Sequence, residues 1–334
     1  MIRDALAAPR ALLLLAAASA TAVLAACAPR AEAPASGGAA GPAATGTAAA
    51  ATAGFDWAAW SPPSLDSIPD DSLGRSITRG QALLAHTTDS LPGYAHSNLQ
   101  CTSCHLNNGL EDKAAPLTGT FARFPKYMPR TGAVITVEDR VNYCFTRSLA
   151  GSRLANNSKE MTDIVNYIAY LSKGIPVGTK AKVDGLMDMP TRLTGNPEAG
   201  QALFAEKCSV CHGTDGQGVA TNPALWGPKS FSVGASMTRE ERAASFIWRN
   251  MPLGQGGTLT EQQAFDVAAY IVRQPRPDSP GKEKDWPTGG APYDVPYATQ
   301  GHEPFVTPTL LPRKYPAYAT VPQPPRAPAV PGGR

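Results

Sequence analysis

Two stretches of the chain repeat one helical pattern of apolar and small residues. Gly80, Gln81, Ala82, Leu83, Leu84, Ala85 returns as Gly200, Gln201, Ala202, Leu203, Phe204, Ala205, and DIVNYI (Asp163 to Ile168) returns as DVAAYI (Asp266 to Ile271), in the same order. One module is therefore carried twice. Its segments read as helices. Ile164, Val165, Ile168 and Leu171 fall on one helical face ended by Gly174, Asn196 before Pro197 and Glu198 marks a helix start, and Thr260 with Gln263 forms a capping box. Thr136 to Ala150 reads as one helix, with Thr136 as cap, Glu138 and Asp139 in the first turn and Gly151 as the stop. Strand-like alternation is nearly absent, so the fold class is mainly α.

The pattern fails in three places. Residues 11–26 are an unbroken run of small and apolar residues behind Arg3 and Arg10, too short and too alanine-rich for a comfortable membrane span; with Leu24, Ala25, Ala26, Cys27 at its end it predicts a lipoprotein signal peptide over 1–26 and acylation of Cys27. Residues 27–54, nearly all Ala, Pro, Gly, Thr and Ser, cannot bury a core and read as a flexible tether. From Pro275 on, the last 60 residues hold 15 of the chain's 32 prolines, which predicts an extended tail, draped at first over the second module and disordered toward Arg334. Between the modules, Pro and Gly punctuate a connector. The formal charge of +3, from 30 basic and 27 acidic residues, gives no electrostatic reason to expect a nucleic-acid partner.

Six cysteines in an exported chain would ordinarily suggest three disulfides. Their positions argue otherwise. Each repeat is followed by Cys-x-x-Cys-His: Cys101, Cys104, His105 and Cys208, Cys211, His212. In this motif two thiols add across the vinyl groups of haem and the next histidine points at the iron, which gives two covalently bound haem c groups. A zinc site would leave the following histidines without a role, and a thioredoxin-like pair would need a strand and helix context that is missing. The spacing from each motif histidine then offers distal ligands. His212 to Met251 is 39 residues and so is His105 to Cys144. Met251 precedes Pro252, which biases it to extended backbone as suits a ligand presented from a loop; Met237 is the alternative there. On a regular helix Arg140, four residues before Cys144, and Arg147, three after, share its face and favour thiolate, the form that binds iron and attacks sulfur electrophiles. Met161 as distal ligand, with Cys144 an inert thiol, and His86 or His96 as ligands, are the other readings.

CTSCHLNNG from Cys101, Tyr127 to Arg130, VITVEDRVNYCFTRSLAG (Val134 to Gly151), CSVCHG from Cys208 and NMPLGQGGTLTEQQAFDVAAYI (Asn250 to Ile271) together resemble the dihaem c-type thiosulfate dehydrogenases, in ordered blocks from Trp57 to Tyr297. The resemblance implies two tandem cytochrome c domains: 55–177 with the active-site haem, a linker over 178–194, 195–275 with the electron-transfer haem, and the Pro-rich tail over 276–334. It implies that two thiosulfate ions are coupled to tetrathionate, with electrons passing through the first haem and then the second. Cys144 matches the family's ligand and active-site cysteine, and Arg130 and Arg140 match its two substrate-binding arginines. Some members use lysine as well as methionine at the second haem; here Asn250 precedes Met251, so methionine alone is expected. A periplasmic, lipid-anchored enzyme, on the outer membrane, would pass electrons to a soluble acceptor such as a small cytochrome c or high-potential iron-sulfur protein. The resemblance also implies a reversible reaction, with tetrathionate reduced in the other direction. A non-catalytic electron-transfer cytochrome and a carrier-protein-dependent subunit of a multi-enzyme thiosulfate-oxidising system are the alternatives.

Overall fold

A computed structural model describes residues 54–312, so the signal peptide, Cys27 and the end of the tail lie outside the described residues. The repeat is a pair of crossed helices. In the first module α1 (Ser72–Ala85) packs on α5 (Lys159–Tyr170), and in the second α6 (Pro197–Lys207) packs on α9 (Glu261–Val272). The repeated glycine is where the helices cross. A Cβ on Gly80 would lie 2.0 Å from the Asp163 carbonyl oxygen, and one on Gly200 would lie 1.9 Å from that of Asp266. The repeated Asp and Tyr supply the other half of each crossing: Tyr167 and Tyr270 lie against the same two glycines.

Local signals set the helix ends much as the sequence implies. Asn196 Oδ1 accepts from the N–H groups of Glu198 (2.9 Å) and Ala199 (3.0 Å), with Pro197 leading the helix. Thr260 and Gln263 exchange a reciprocal pair of bonds at the start of α9. Between the crossed pairs lie the short α2 (Thr87–Ser90) and α3 (Leu106–Gly109) in the first module, and α7 (Ser209–His212) and α8 (Glu240–Asn250) in the second. Ile77, Leu84, Leu99, Phe145, Ile164 and Tyr167 are core of the first module, and Phe204, Trp226, Phe265 and Val267 of the second.

One helix departs from expectation. α4 (Val137–Tyr143) starts at Thr136 with the capping box to Asp139, but at Cys144 it widens into a π-helical turn, Cys144–Ser148. Leu149 N–H bonds the Cys144 carbonyl at 2.8 Å and Gly151 N–H that of Phe145 at 2.8 Å, while the Thr146 hydroxyl takes the Asn142 carbonyl at 3.0 Å. The segment ends through Ala150, whose φ is 49°, rather than through the freedom of Gly151. Gly151 is needed for a different reason: a Cβ there would sit 1.7 Å from the Tyr94 carbonyl oxygen.

Small ladders do occur. β1 (Lys126–Met128) pairs antiparallel with β2 (Ala133–Ile135), and Arg130 sits in the connecting turn. β3 (Arg276–Pro277) pairs in parallel with β4 (Leu310–Leu311). Nor does the early tail lie on the second module alone. Asp294 receives Arg239 Nε (2.7 Å) and the Glu241 N–H from that module, but Trp286 N–H bonds the Arg130 carbonyl of the first at 2.8 Å, and Pro287 fills the space over Gly132. Prolines keep the ladders in this segment short but do not prevent packing, and the aromatic residues among them give the segment something to bury.

Alanine at either crossing glycine has no room without separating the helices. Gly80→Ala and Gly200→Ala should each cost at least about 2 kcal/mol, read as a lower thermal unfolding midpoint, whereas Gly254→Ala, with nothing near its Cβ position, should show only the smaller strain of its φ of 80°.

Candidate active site

Cys101 opens a short helical turn behind α2, and His105 follows it with its ring Nδ1 2.5 Å from the Ala115 carbonyl oxygen. In the second module His212 ends α7 with Nδ1 2.9 Å from the Pro223 carbonyl oxygen. Both bonds hold the proton on Nδ1, orient the ring and leave Nε2 for a metal. All five described cysteines are free thiols, so no disulfide competes for them.

The chemistry concentrates in the first module. A cavity of about 720 Å³, within the ~300–1,000 Å³ range of cofactor pockets, is lined by Cys104, His105, Arg140, Cys144, Ser148 and Met237 among others. A narrower apolar slot joins Cys101, Cys104, His105 and Cys144 to Leu84, Leu99, Phe145 and Ile164. Two thiols, an oriented imidazole and a third sulfur, that of Cys144, in the same lining fit haem c, which Cys101, Cys104 and His105 would hold. In the second module Cys208 and Met251 border one apolar cluster with Phe204 and Trp226, and Met251 has the extended backbone its proline favours, with φ −118° and ψ 147°. Met237 touches both modules' clusters. Met161 is fully buried in the first core. His86 lies between α1 and α2, and His96 Nε2 is 3.3 Å from the Gly93 carbonyl oxygen.

Cys144 does not sit there as an ordinary thiol. Burial alone would push it up, but Arg140 and then His105 outweigh burial and bring it down to about 6. Arg140 Nη1 donates to Cys144 Sγ at 3.2 Å, the contact that α4 creates by placing the two residues one turn apart. The regular-helix expectation for Arg147 needs correction. The π turn carries Arg147 to Asp285, to which its Nη2 donates at 2.6 Å, and its guanidinium lies 4.5 Å from the Tyr143 ring centroid. Arg130 is not among the residues lining the cavity. Its Nε donates to Asp285 Oδ2 (2.9 Å), and its Nη2 donates to the Gly234 carbonyl (2.6 Å) and to Tyr297 Oη (2.5 Å).

Two contributors were not evident in the sequence. The connector supplies Lys182 to Asp188 to the cavity wall, with Asp184 bonded to Arg123 and Lys126 and Asp188 to Arg242. The tail supplies Asp285, Trp286 and Tyr297. Asn250, expected only as a residue that is not lysine, donates to the carbonyls of Lys113 (3.0 Å) and Phe246 (3.1 Å), joining the second module to the loop after His105.

Two crossed-helix modules, each with the Cys-x-x-Cys-His turn and an oriented histidine, define a dihaem c-type cytochrome. Comparison with known proteins agrees: a family model described as SoxA/TsdA, cytochrome c domain, matches residues 94–177, and one described as cytochrome c matches 197–274. The chain is 44% identical over 252 residues to a thiosulfate dehydrogenase of Psychrobacter arcticus, covering 72% of this chain and 77% of the relative. To that of Allochromatium vinosum it is 38% identical over 229 residues, covering 66% and 85%. A solved structure of thiosulfate dehydrogenase (TsdBA) from Marichromatium purpuratum superposes with a TM-score of 0.62 at 32% identity; the match covers 66% of this chain and half of that one. The chain belongs to the thiosulfate dehydrogenase family, and its two cytochrome c domains carry two covalently bound c-type haems.

Because the low value at Cys144 depends first on Arg140, Arg140→Met should raise it. A lowered thiol is thiolate above its value and protonates below it, so the variant should lose its thiolate-ligated haem spectrum at a higher pH than the unsubstituted protein, in an absorbance titration downward from pH 8.

Proposed function

We propose that this chain couples two thiosulfate ions to tetrathionate at Cys144 and passes the electrons out through its second module. The observation that carries the reading is the Arg140 to Cys144 contact at the head of a cavity that also holds His105. The family's named activity supports it. Haem, when bound, would supply one-electron sinks, one per module; Cys101, Cys104 and His105 would hold one and Cys208, Cys211 and His212 the other, with the sulfurs of Cys144 and Met251 available as further ligands.

The protein's own part is electrostatic and nucleophilic. Thiosulfate is a dianion and requires fixed cationic donors, for which guanidinium forks suit better than an ammonium. Arg140 holds the anion beside the sulfur; Arg130, which lies behind the cavity lining with Nε and Nη2 already bonded, would be the second donor through Nη1. The Cys144 thiolate joins the terminal sulfur of the first thiosulfate with loss of two electrons, giving a Cys144 S-thiosulfonate. The terminal sulfur of a second thiosulfate attacks the outer sulfur of that adduct; the bond to Cys144 breaks, the thiolate is restored and tetrathionate leaves. No proton is consumed. The reverse sequence would reduce tetrathionate.

We also place the enzyme in the periplasm, tethered by acylated Cys27 to the outer membrane, with a small soluble redox protein as acceptor. Arg3, Arg10 and the apolar run ending at Cys27 support this.

Cys144→Gly should retain both haems, seen as unchanged c-type absorbance per chain, while thiosulfate-dependent ferricyanide reduction drops by at least about a thousandfold, as expected when a covalent nucleophile is removed. Retained turnover overturns the mechanism, and activity only with an added thiol carrier protein favours the subunit reading. Cys27→Ala should move the protein from the membrane to the soluble periplasmic fraction.

A further inference from the structure

The tail residue Asp285 lies between two arginines of the first module. It is 5% exposed, and both oxygens are engaged: Oδ1 accepts from Arg147 Nη2 at 2.6 Å, and Oδ2 accepts from Arg130 Nε at 2.9 Å and from Tyr297 Oη at 2.8 Å. The next residue holds the same arginine twice more. Trp286 N–H bonds the Arg130 carbonyl at 2.8 Å, and the Arg130 guanidinium lies 4.8 Å from the Trp286 ring centroid. Bonds from Nε and Nη2 to Asp285, Gly234 and Tyr297 commit one edge of that guanidinium, so Nη1 is the edge that remains to meet an anion.

We propose that Asp285 is a positioning residue for thiosulfate: one carboxylate from the tail orients Arg130 in its hairpin turn and anchors Arg147 in the turn that carries Cys144. The proposal rests on the thiosulfate reading above. Two guanidiniums brought together in a buried place repel each other, and a single carboxylate between them both removes that repulsion and fixes their separation. Tyr297 closes the group by donating to Asp285 while accepting from Arg130. Its phenol is pushed up to about 12, burial being the leading cause, so it stays a donor throughout the working range. The Arg147 backbone is fixed as well, its carbonyl accepting from the Ser232 N–H (3.0 Å) and hydroxyl (2.8 Å). What Asp285 adds is the side-chain direction, and with it the distance between the Cys144 turn and the Arg130 turn.

The test uses the full-length, haem-loaded protein with thiosulfate and ferricyanide. Asp285→Asn keeps the shape and removes the charge. It should raise KM for thiosulfate about tenfold while kcat falls less than about threefold, because it disturbs binding of the dianion and not the thiolate. Asp285→Glu should recover most of the KM. Tyr297→Phe, which removes one hydroxyl and keeps the ring, should raise KM about threefold and covers the case in which Asp285→Asn fails to fold. Thiosulfate should raise the thermal midpoint of the unsubstituted protein and do so less for Asp285→Asn. An unchanged KM in both variants overturns the inference, as does a fall in stability and haem content with KM unmoved. If the unsubstituted protein shows no thiosulfate-dependent haem reduction, the functional reading fails instead.

Discussion

A buried sulfur anion is costly unless a cation lies against it, and Arg140 at 3.2 Å from Cys144 is that cation. Much of the first module serves this contact. The capping box at Thr136 fixes where α4 begins, the regular α4 sets Arg140 one turn before Cys144, and the change to a π turn then frees the cysteine from the helical repeat. The same guanidinium suits both partners in the proposed chemistry. While Cys144 is thiolate, Arg140 offsets its charge; once the sulfur is bonded to thiosulfate it is no longer anionic, and the cation is left to the sulfonate.

The sequence carried the fold well because its repeat is dictated by a steric fact. These two helix pairs cross so closely that a Cβ would strike the facing backbone carbonyl, so Gly80 and Gly200 recur with the Asp and Tyr they meet. The contact between Arg140 and Cys144 was legible for a local reason, their four-residue spacing on a helix. Arg147 was misplaced because its assignment assumed 3.6 residues per turn across a segment that widens at Cys144. The partner of Arg130 could not be read at all. Asp285 is 155 residues away, in a stretch whose composition speaks of extended chain, and composition does not say what an extended chain lies upon. The connector is a similar case: its Pro and Gly residues mark a boundary, yet Asp184 and Asp188 tie it to arginines on both sides of the cavity.

The tail gives the two modules a shared strap. Asp285 and Trp286 bind the first module while Asp294 binds Arg239 and the start of α8 in the second. These are buried, charged contacts, and such contacts define geometry more than they add stability, since desolvation offsets much of the attraction. A strap of this kind suits a protein that must keep two redox centres at a fixed separation.

The difference between the modules turns on the charge of one sulfur. Each has a sulfur 39 residues after the motif histidine, a thiol beside a guanidinium in one and a neutral thioether in the other. The thiolate needs Arg140 and the wider turn. Met251 is neutral and needs neither: α8 remains a regular helix to its end, and the preceding Asn250 spends its amide on two backbone carbonyls. On the proposed ligand sets, thiolate donation to iron would lower the first haem's potential and His/Met ligation would raise the second's. Electrons released at Cys144 would then run downhill toward the second module, and the repeat, alike in its helix crossing, would acquire a direction from the residue at a single position.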